Sequence, residues 1–134
     1  MHNLENPREF IFAGKAIFTI QNEKTGNHFT FKVKQAKDQK PVWFVSILNG
    51  SDNYSNYAYI GTIFNTDFRW TKKSKVNRES QSFKSFSWVL RNINTLPDFV
   101  KVHHEGQCGR CGRRLTVPES IERGIGPECL KKVA

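Results

Sequence analysis

HHEGQCGRCGRRLTVPESIERGIGPEC, residues 103–129, holds all three cysteines of the chain. Cys108 and Cys111 form a Cys-x-x-Cys pair, and Cys129 follows after seventeen intervening residues. His104 stands four positions before the first cysteine. Three thiols and one imidazole make a complete tetrahedral ligand set, the closed arrangement of structural Cys3His zinc sites. The pattern therefore assigns one structural Zn2+ per chain to His104, Cys108, Cys111 and Cys129. His103, Glu105 and Glu128 compete for the fourth place, but the spacing of His104 leaves a short loop that closes easily.

That spacing has a steric reason. Two cysteines two residues apart reach one ion only if the chain between them turns tightly. Gly109 is expected to supply that freedom and Gly112 to let the backbone turn away, since glycine accepts positive φ. Downstream, Pro118 opens a short helix after Thr116 and Val117, with Glu119 and Glu122 near its positive end and Gly124 as its stop. Gly126-Pro127 begins another helix with Cys129 in its first turn, where backbone N–H groups stabilise a thiolate. Lys131 and Lys132 fall toward that helix's negative end. A redox Cys-x-x-Cys motif goes with a βαβ pattern, which is absent, and a disulfide would leave one cysteine over. Redox chemistry and unliganded thiols remain as alternatives to zinc.

The segment CGRCGRRLTVPESIERGIGPEC resembles the zinc-knuckle signature of a small uncharacterised family found in bacteriophage and prophage genomes. That signature runs Cys-Gly-Arg-Cys-Gly-Arg-x-Leu-x-x-Pro-x-Ser, then Gly-x-Gly-Pro-x-Cys, often with His-Glu-Gly just upstream. Every element is present, including His104-Glu105-Gly106. The resemblance is strong over roughly the last 32 residues and looser before them, where PVWFVSILNG, YIGTIF and TKKSKV are similar to the β-rich segment of phage members. It implies a phage or prophage origin and a treble-clef-like zinc module, with no assigned activity.

At 134 residues the chain makes one domain, or one domain with a metal-stapled appendage. We divide it into residues 1–100, a sheet-plus-helix domain, and 101–134, a zinc module too small to hold a core without its metal. Lys plus Arg number 21 against 12 Asp plus Glu, a net charge of +9. Binding zinc through three thiolates changes that to about +8. Such a charge favours polyanions: nucleic acid, an anionic membrane surface or an acidic protein. The opening MHNLENPREF has no apolar run of the signal-peptide kind, and no window approaches a membrane span. With cysteines reserved for a metal, the expectation is a cytoplasmic protein of a bacterial host, without membrane or small-molecule partners.

Upstream, residues 1–7 read as a loose polar lead. Ala16, Phe18 and Ile20 alternate with Ile17, Thr19 and Gln21, and Phe29, Phe31 and Val33 alternate with Thr30, Lys32 and Lys34. Around the Thr25-Gly26 turn this predicts a β-hairpin with one apolar and one basic or polar face. VWFVSIL, residues 42–48, is apolar on both faces and is expected mid-sheet. After the Asn49-Gly50-Ser51-Asp52-Asn53 loop come strands at residues 57–64 and 68–71. Phe83, Phe86, Val89, Leu90 and Ile93 then form the stripe of one helix, with Ser80 or Ser82 as N-cap and Leu96-Pro97 as its end. Residues 98–102 are expected to lead into the zinc module. The fold class is thus α+β: an antiparallel β-sheet of four to five strands with one packed helix, followed by the C-terminal treble-clef-like zinc module.

Two basic groups carry the functional expectation. Arg69, Lys72, Lys73, Lys75 and Arg78 lie between the last strand and the helix, with Trp70 among them, and Arg110, Arg113 and Arg114 decorate the knuckle. Such groups neutralise phosphates, and exposed aromatics stack on unpaired bases. A solvated charged loop, and arginines that neutralise the thiolate centre, are the plainer readings. Tyr54, Tyr57, Tyr59 and Trp43 are weak candidates for an aromatic platform, because alternation sends half of them inward. A closed zinc set and the lack of hydrolase, phosphate-loop or deaminase motifs argue against catalysis. The leading expectation is a non-enzymatic nucleic-acid-associated zinc protein. A protein-interaction module acting on a host protein or ribonucleoprotein, for example an anti-defence factor against a CRISPR–Cas complex, is the alternative. A metal-dependent nuclease using His103, His104 and Glu105 ranks third.

Overall fold

Period-two patterning builds most of the molecule, and the strand registers show how. The structure is a computed structural model that describes residues 2–4, 6–37, 40–49, 56–115, 118–127 and 129. Seven strands form one antiparallel sheet: β1 (His2–Asn3), β2 (Lys15–Asn22), β3 (His28–Gln35), β4 (Val42–Leu48), β5 (Tyr57–Phe64), β6 (Asp67–Arg69) and β7 (Val100–His104). Their order is β1-β7-β2-β3-β4-β5-β6, so β2 to β6 meander while β7 inserts between β1 and β2. The helices described are α1 (Pro7–Ile11), α2 (Gln81–Arg91) and α3 (Pro118–Arg123).

The expected hairpin is β2 with β3, pairing Ala16 with Val33 and Phe18 with Phe31 on the inner face. Strand β4 lies between β3 and β5, as its apolar text suggests. Only its inner face is closed, however: Val45 is fully buried whereas Phe44 is 45% exposed. The β4–β5 register shifts at Val45 and Ser46, with Gly61 opposite Val45. A Cβ on Gly61 would stand 2.7 Å from the Phe68 ring, so the glycine is what lets that ring fold onto the core.

Helix α2 supplies the second layer. Ser80 is its N-cap, its hydroxyl accepting from the Phe83 N–H at 3.3 Å. The Phe86 ring lies 5.1 Å from Phe31, 6.3 Å from Phe18 and 4.7 Å from Phe68. Each such aromatic withdrawn from water stabilises by roughly 1.5–3 kcal/mol. The stripe is core, as its spacing predicts.

Three elements depart from the expectation of four to five strands with one helix. The lead at residues 1–7 is not loose: it contains β1 and the start of α1, where the Asn6 side chain accepts from the Glu9 N–H at 3.1 Å and Pro7 opens the helix. Residues 98–102 are not merely a lead, because Val100, Val102 and His104 are buried in alternation with Lys101 and His103. That alternation makes β7 a strand of the main sheet, paired from Phe18↔His104 to Asn22↔Val100. The division after residue 100 therefore cuts through β7. Residues 101–104 are sheet.

Candidate metal centre

Residues 106–115 form a short hairpin. The Leu115 N–H donates to the Gly106 carbonyl (2.8 Å), Cys108 N–H to Arg113 (2.8 Å) and Gly112 N–H to Cys108 (2.9 Å). Gly112 takes φ +80°, the conformation expected of it. Gly109 does not adopt a positive φ; its role is space. A Cβ there would lie 2.7 Å from the ring of the fully buried Phe10. Helix α3 begins at Pro118, and Gly124 ends it at φ +82° with its N–H on the Ser120 carbonyl (2.7 Å). The Gly109 N–H donates to the Gly124 carbonyl at 2.8 Å, joining the two halves of the module. Pro127 and Cys129 have helical backbone, consistent with the expected second turn. Lys131, Lys132, Thr116, Val117 and Glu128 lie outside the described residues.

These turns bring the three sulfurs together. The Sγ atoms of Cys108, Cys111 and Cys129 all lie within 4.8 Å of one another, and none forms a disulfide. A zinc ion at about 2.3 Å from each sulfur needs S···S separations of about 3.8 Å, so a small inward shift at most completes the shell. Cys108 and Cys129 are buried, at 1% and 8% exposure, which keeps bulk water from competing. Burial alone pushes the Cys108 thiol up, but the N–H groups of Gly126, Cys111 and Arg110 outweigh it and hold the thiol below its ordinary value. Two of these donors stand at 3.3 Å (Gly126) and 3.4 Å (Arg110) from the sulfur. Burial and the neighbouring Cys111 and Cys108 push the Cys129 thiol up, with the Arg110 side chain opposing them. Such a trio gives up its first proton readily and the others in exchange for a metal. The donor set fits a thiophilic cation.

His104 is not among the ligand atoms gathered within 4.8 Å of one another. Its fully buried ring lies 5.6 Å from Phe10. Its Nδ1 accepts from the Gly106 N–H (2.9 Å), which leaves Nε2 to donate to the Ile121 carbonyl. Both nitrogens are thus engaged in fastening the module to β7. The inward alternation of β7 places His104 in the core. His103 points to the other face, opposite Thr19, and the Glu105 carboxylate takes the Thr19 hydroxyl at 3.4 Å. Among the described residues no fourth His, Cys, Asp or Glu joins the three cysteines. The residue that the sequence missed is Phe10, which fills the space between β2, Gly109 and Gly124; Asn6-Pro7, a helix-start signal, could have flagged it.

The basic groups are placed as follows. Lys72, Lys73, Lys75, Arg78, Arg113 and Arg114 are exposed, and among the described residues none of them has an ion-pair partner. Arg69 is also exposed but pairs with Asp67 at 2.9 Å. Arg110 is half-buried against the sulfur cluster, the neutralising role foreseen as its plainer reading. Trp70 is anchored through its indole N–H on the Val76 carbonyl (2.9 Å), with the Arg78 guanidinium 4.6 Å above its ring. Of the suggested platform, Trp43 packs inward on Phe12 (4.9 Å) and Tyr54 lies outside the described residues. Among the described residues, no helix is long and apolar enough to cross a membrane.

The model of a family of unknown function (DUF6011) matches residues 102–134, the metal module with the end of β7. No curated protein and no solved structure matches the chain.

Proposed function

We propose that this chain is a non-enzymatic zinc protein that associates with nucleic acid. One structural Zn2+ would sit on Cys108, Cys111 and Cys129, in a treble-clef-like arrangement of a knuckle hairpin and a following helical turn. His104, with His103, Glu105 and Glu128 as competitors, is the sequence candidate for the fourth ligand. The metal's part is architectural, holding a segment with few apolar side chains in one shape.

The observation that carries the nucleic-acid reading is the set of six exposed cations with no ion-pair partner among the described residues, on the loop before α2 and on the knuckle. A cation that is not neutralised within the protein is available to a phosphate, and its contact releases condensed counterions. The test is binding of zinc-loaded protein to nucleic acid at two salt concentrations, alongside metal content by mass spectrometry. The reading expects one zinc per chain and an affinity that falls by orders of magnitude between about 50 and 200 mM salt. Affinity that is flat with salt, or no binding at micromolar protein, would sink it.

A further inference from the structure

The sheet has a second face, away from α2, whose registers align residues across five strands. Lys15 pairs with Lys34, Lys34 with Phe44, Phe44 with Thr62 and Thr62 with Arg69. At a strand spacing of about 4.8 Å this row is about 19 Å long. Phe44 is 45% exposed, and Phe64, two residues along β5 from Thr62 and so on the same face, is 41% exposed. Each ring stands next to a cation: Lys34 is the cross-strand partner of Phe44, and the Arg69 guanidinium lies 5.8 Å from the Phe64 centroid. In the next row, Lys32 reaches over the Tyr57 ring at 5.3 Å. Among the described residues, acidic groups near this face include Asp67, already bound to Arg69, and, toward the far end, Glu105 beside Thr19 and Glu23 near His103.

Both basic clusters meet the ends of that row. At one end the Lys15 N–H donates to the Gly109 carbonyl at 2.6 Å, which seats the arginine-bearing knuckle beside it. At the other, the Lys75 N–H donates to the Tyr59 carbonyl (2.8 Å) and the Tyr59 hydroxyl meets Thr71 (3.0 Å), which ties the basic loop to β5.

We infer that this face is a track for single-stranded nucleic acid, in which unpaired bases stack on Phe44 and Phe64 while Lys15 and Lys34 pair with the phosphates between them. The inference rests on the nucleic-acid reading above and names its ligand class. Single rings flanked by cations suit bases on a charged backbone, because every base offers a π-face and every nucleotide a phosphate. A duplex keeps its bases stacked inside and gains only the phosphate contacts.

The test is fluorescence anisotropy of the zinc-loaded full chain with labelled oligothymidylate, oligouridylate and a duplex of equal length. The F44A/F64A double variant removes only exposed rings, and an unchanged melting temperature would verify its fold. The track predicts at least a tenfold loss of single-strand affinity, at about 5- to 150-fold per lost stack, with duplex affinity within about twofold of wild type. Comparison of the two single-stranded probes assigns DNA or RNA. Wild-type protein that binds no probe overturns the nucleic-acid reading itself. Wild-type binding that the double variant retains, or loses equally for duplex and single strand, overturns the track alone. A variant that keeps its nucleic-acid affinity but loses concentration-dependent self-association would make the face a protein interface and overturn the track as well.

Discussion

The sheet and the metal module bury very different things. Behind the sheet, Phe10, Phe18, Phe31 and Phe86 are withdrawn from water almost completely, together with Ile60, Ile63, Val33 and Val45. Among the described residues the cluster around the sulfurs is Ala13, Cys108, Leu115, Ile125 and Cys129, of which two are large aliphatics, with Cys111 and Ile121 packed against it. The first region has enough apolar area to fold by burial. The second, over its described residues, has far less, and on the proposed reading a metal shared by the three sulfurs would set its shape. On that reading one continuous fold would draw its stability from two sources, joined where Phe10 fits against Gly109 and Gly124.

Losing the metal should separate the two most widely, since structural zinc is worth about 10–16 kcal/mol in small metal modules. Cys108→Ser is expected to abolish zinc binding and to expose the amides of Gly112, Leu115 and Gly124 to hydrogen exchange, while those of β3 and β4 stay protected. Simultaneous opening of both sets would break the comparison and make the molecule one cooperative unit. Phe10→Ala acts at the junction, where truncating a buried aromatic costs about 3–5 kcal/mol. It should lower both the melting temperature and zinc affinity, and an effect on the sheet alone would show that the junction transmits nothing.

His104→Ala sharpens the boundary further. It orphans the Gly106 N–H and the Ile121 carbonyl, at about 1–3 kcal/mol each, yet zinc stoichiometry should remain at one per chain. Loss of the zinc instead would place the histidine in the ligand set. The smallest effect belongs to His103, whose buried Nδ1 has no hydrogen-bond partner among the described residues. Burial holds this imidazole below its ordinary value. Its contribution to stability is therefore complete above about pH 6.5 and is lost as pH falls through the lowered value. His103→Asn should flatten the decline in melting temperature between about pH 7.5 and pH 5.5. An unchanged slope would place the titrating group elsewhere.

Local pattern made much of this readable. The β2–β3 hairpin, the mid-sheet place of β4, the stripe of α2, and the Pro118 start and Gly124 stop of α3 all follow from residues close in sequence. The gathering of the three cysteines was equally legible from the knuckle spacing. At His104 two signals compete, since ligand spacing points to a metal while the alternation of Val100, Val102 and His104 marks a buried strand. Gly109 illustrates a harder limit. Its need for space comes from Phe10, some hundred residues away, and no local rule reveals a tertiary neighbour. The aligned row on the outer face is of the same kind, since it exists only once four registers are known.

The insertion of β7 between β1 and β2 sets a timetable for synthesis. As the chain leaves the ribosome, β2 to β5 can pair within a few residues of their emergence, a local and fast process. The partner of β1 lies about a hundred residues further along the chain and is still unmade when β5 ends at Phe64. Phe10 must likewise wait for Gly109 and Gly124 to cover it. β1 and Phe10 thus leave the ribosome well before their partners and settle after β2 to β5. During that interval an apolar edge at β2 stands open, and quick metal capture by the emerging cysteines would shorten the exposure to aggregation.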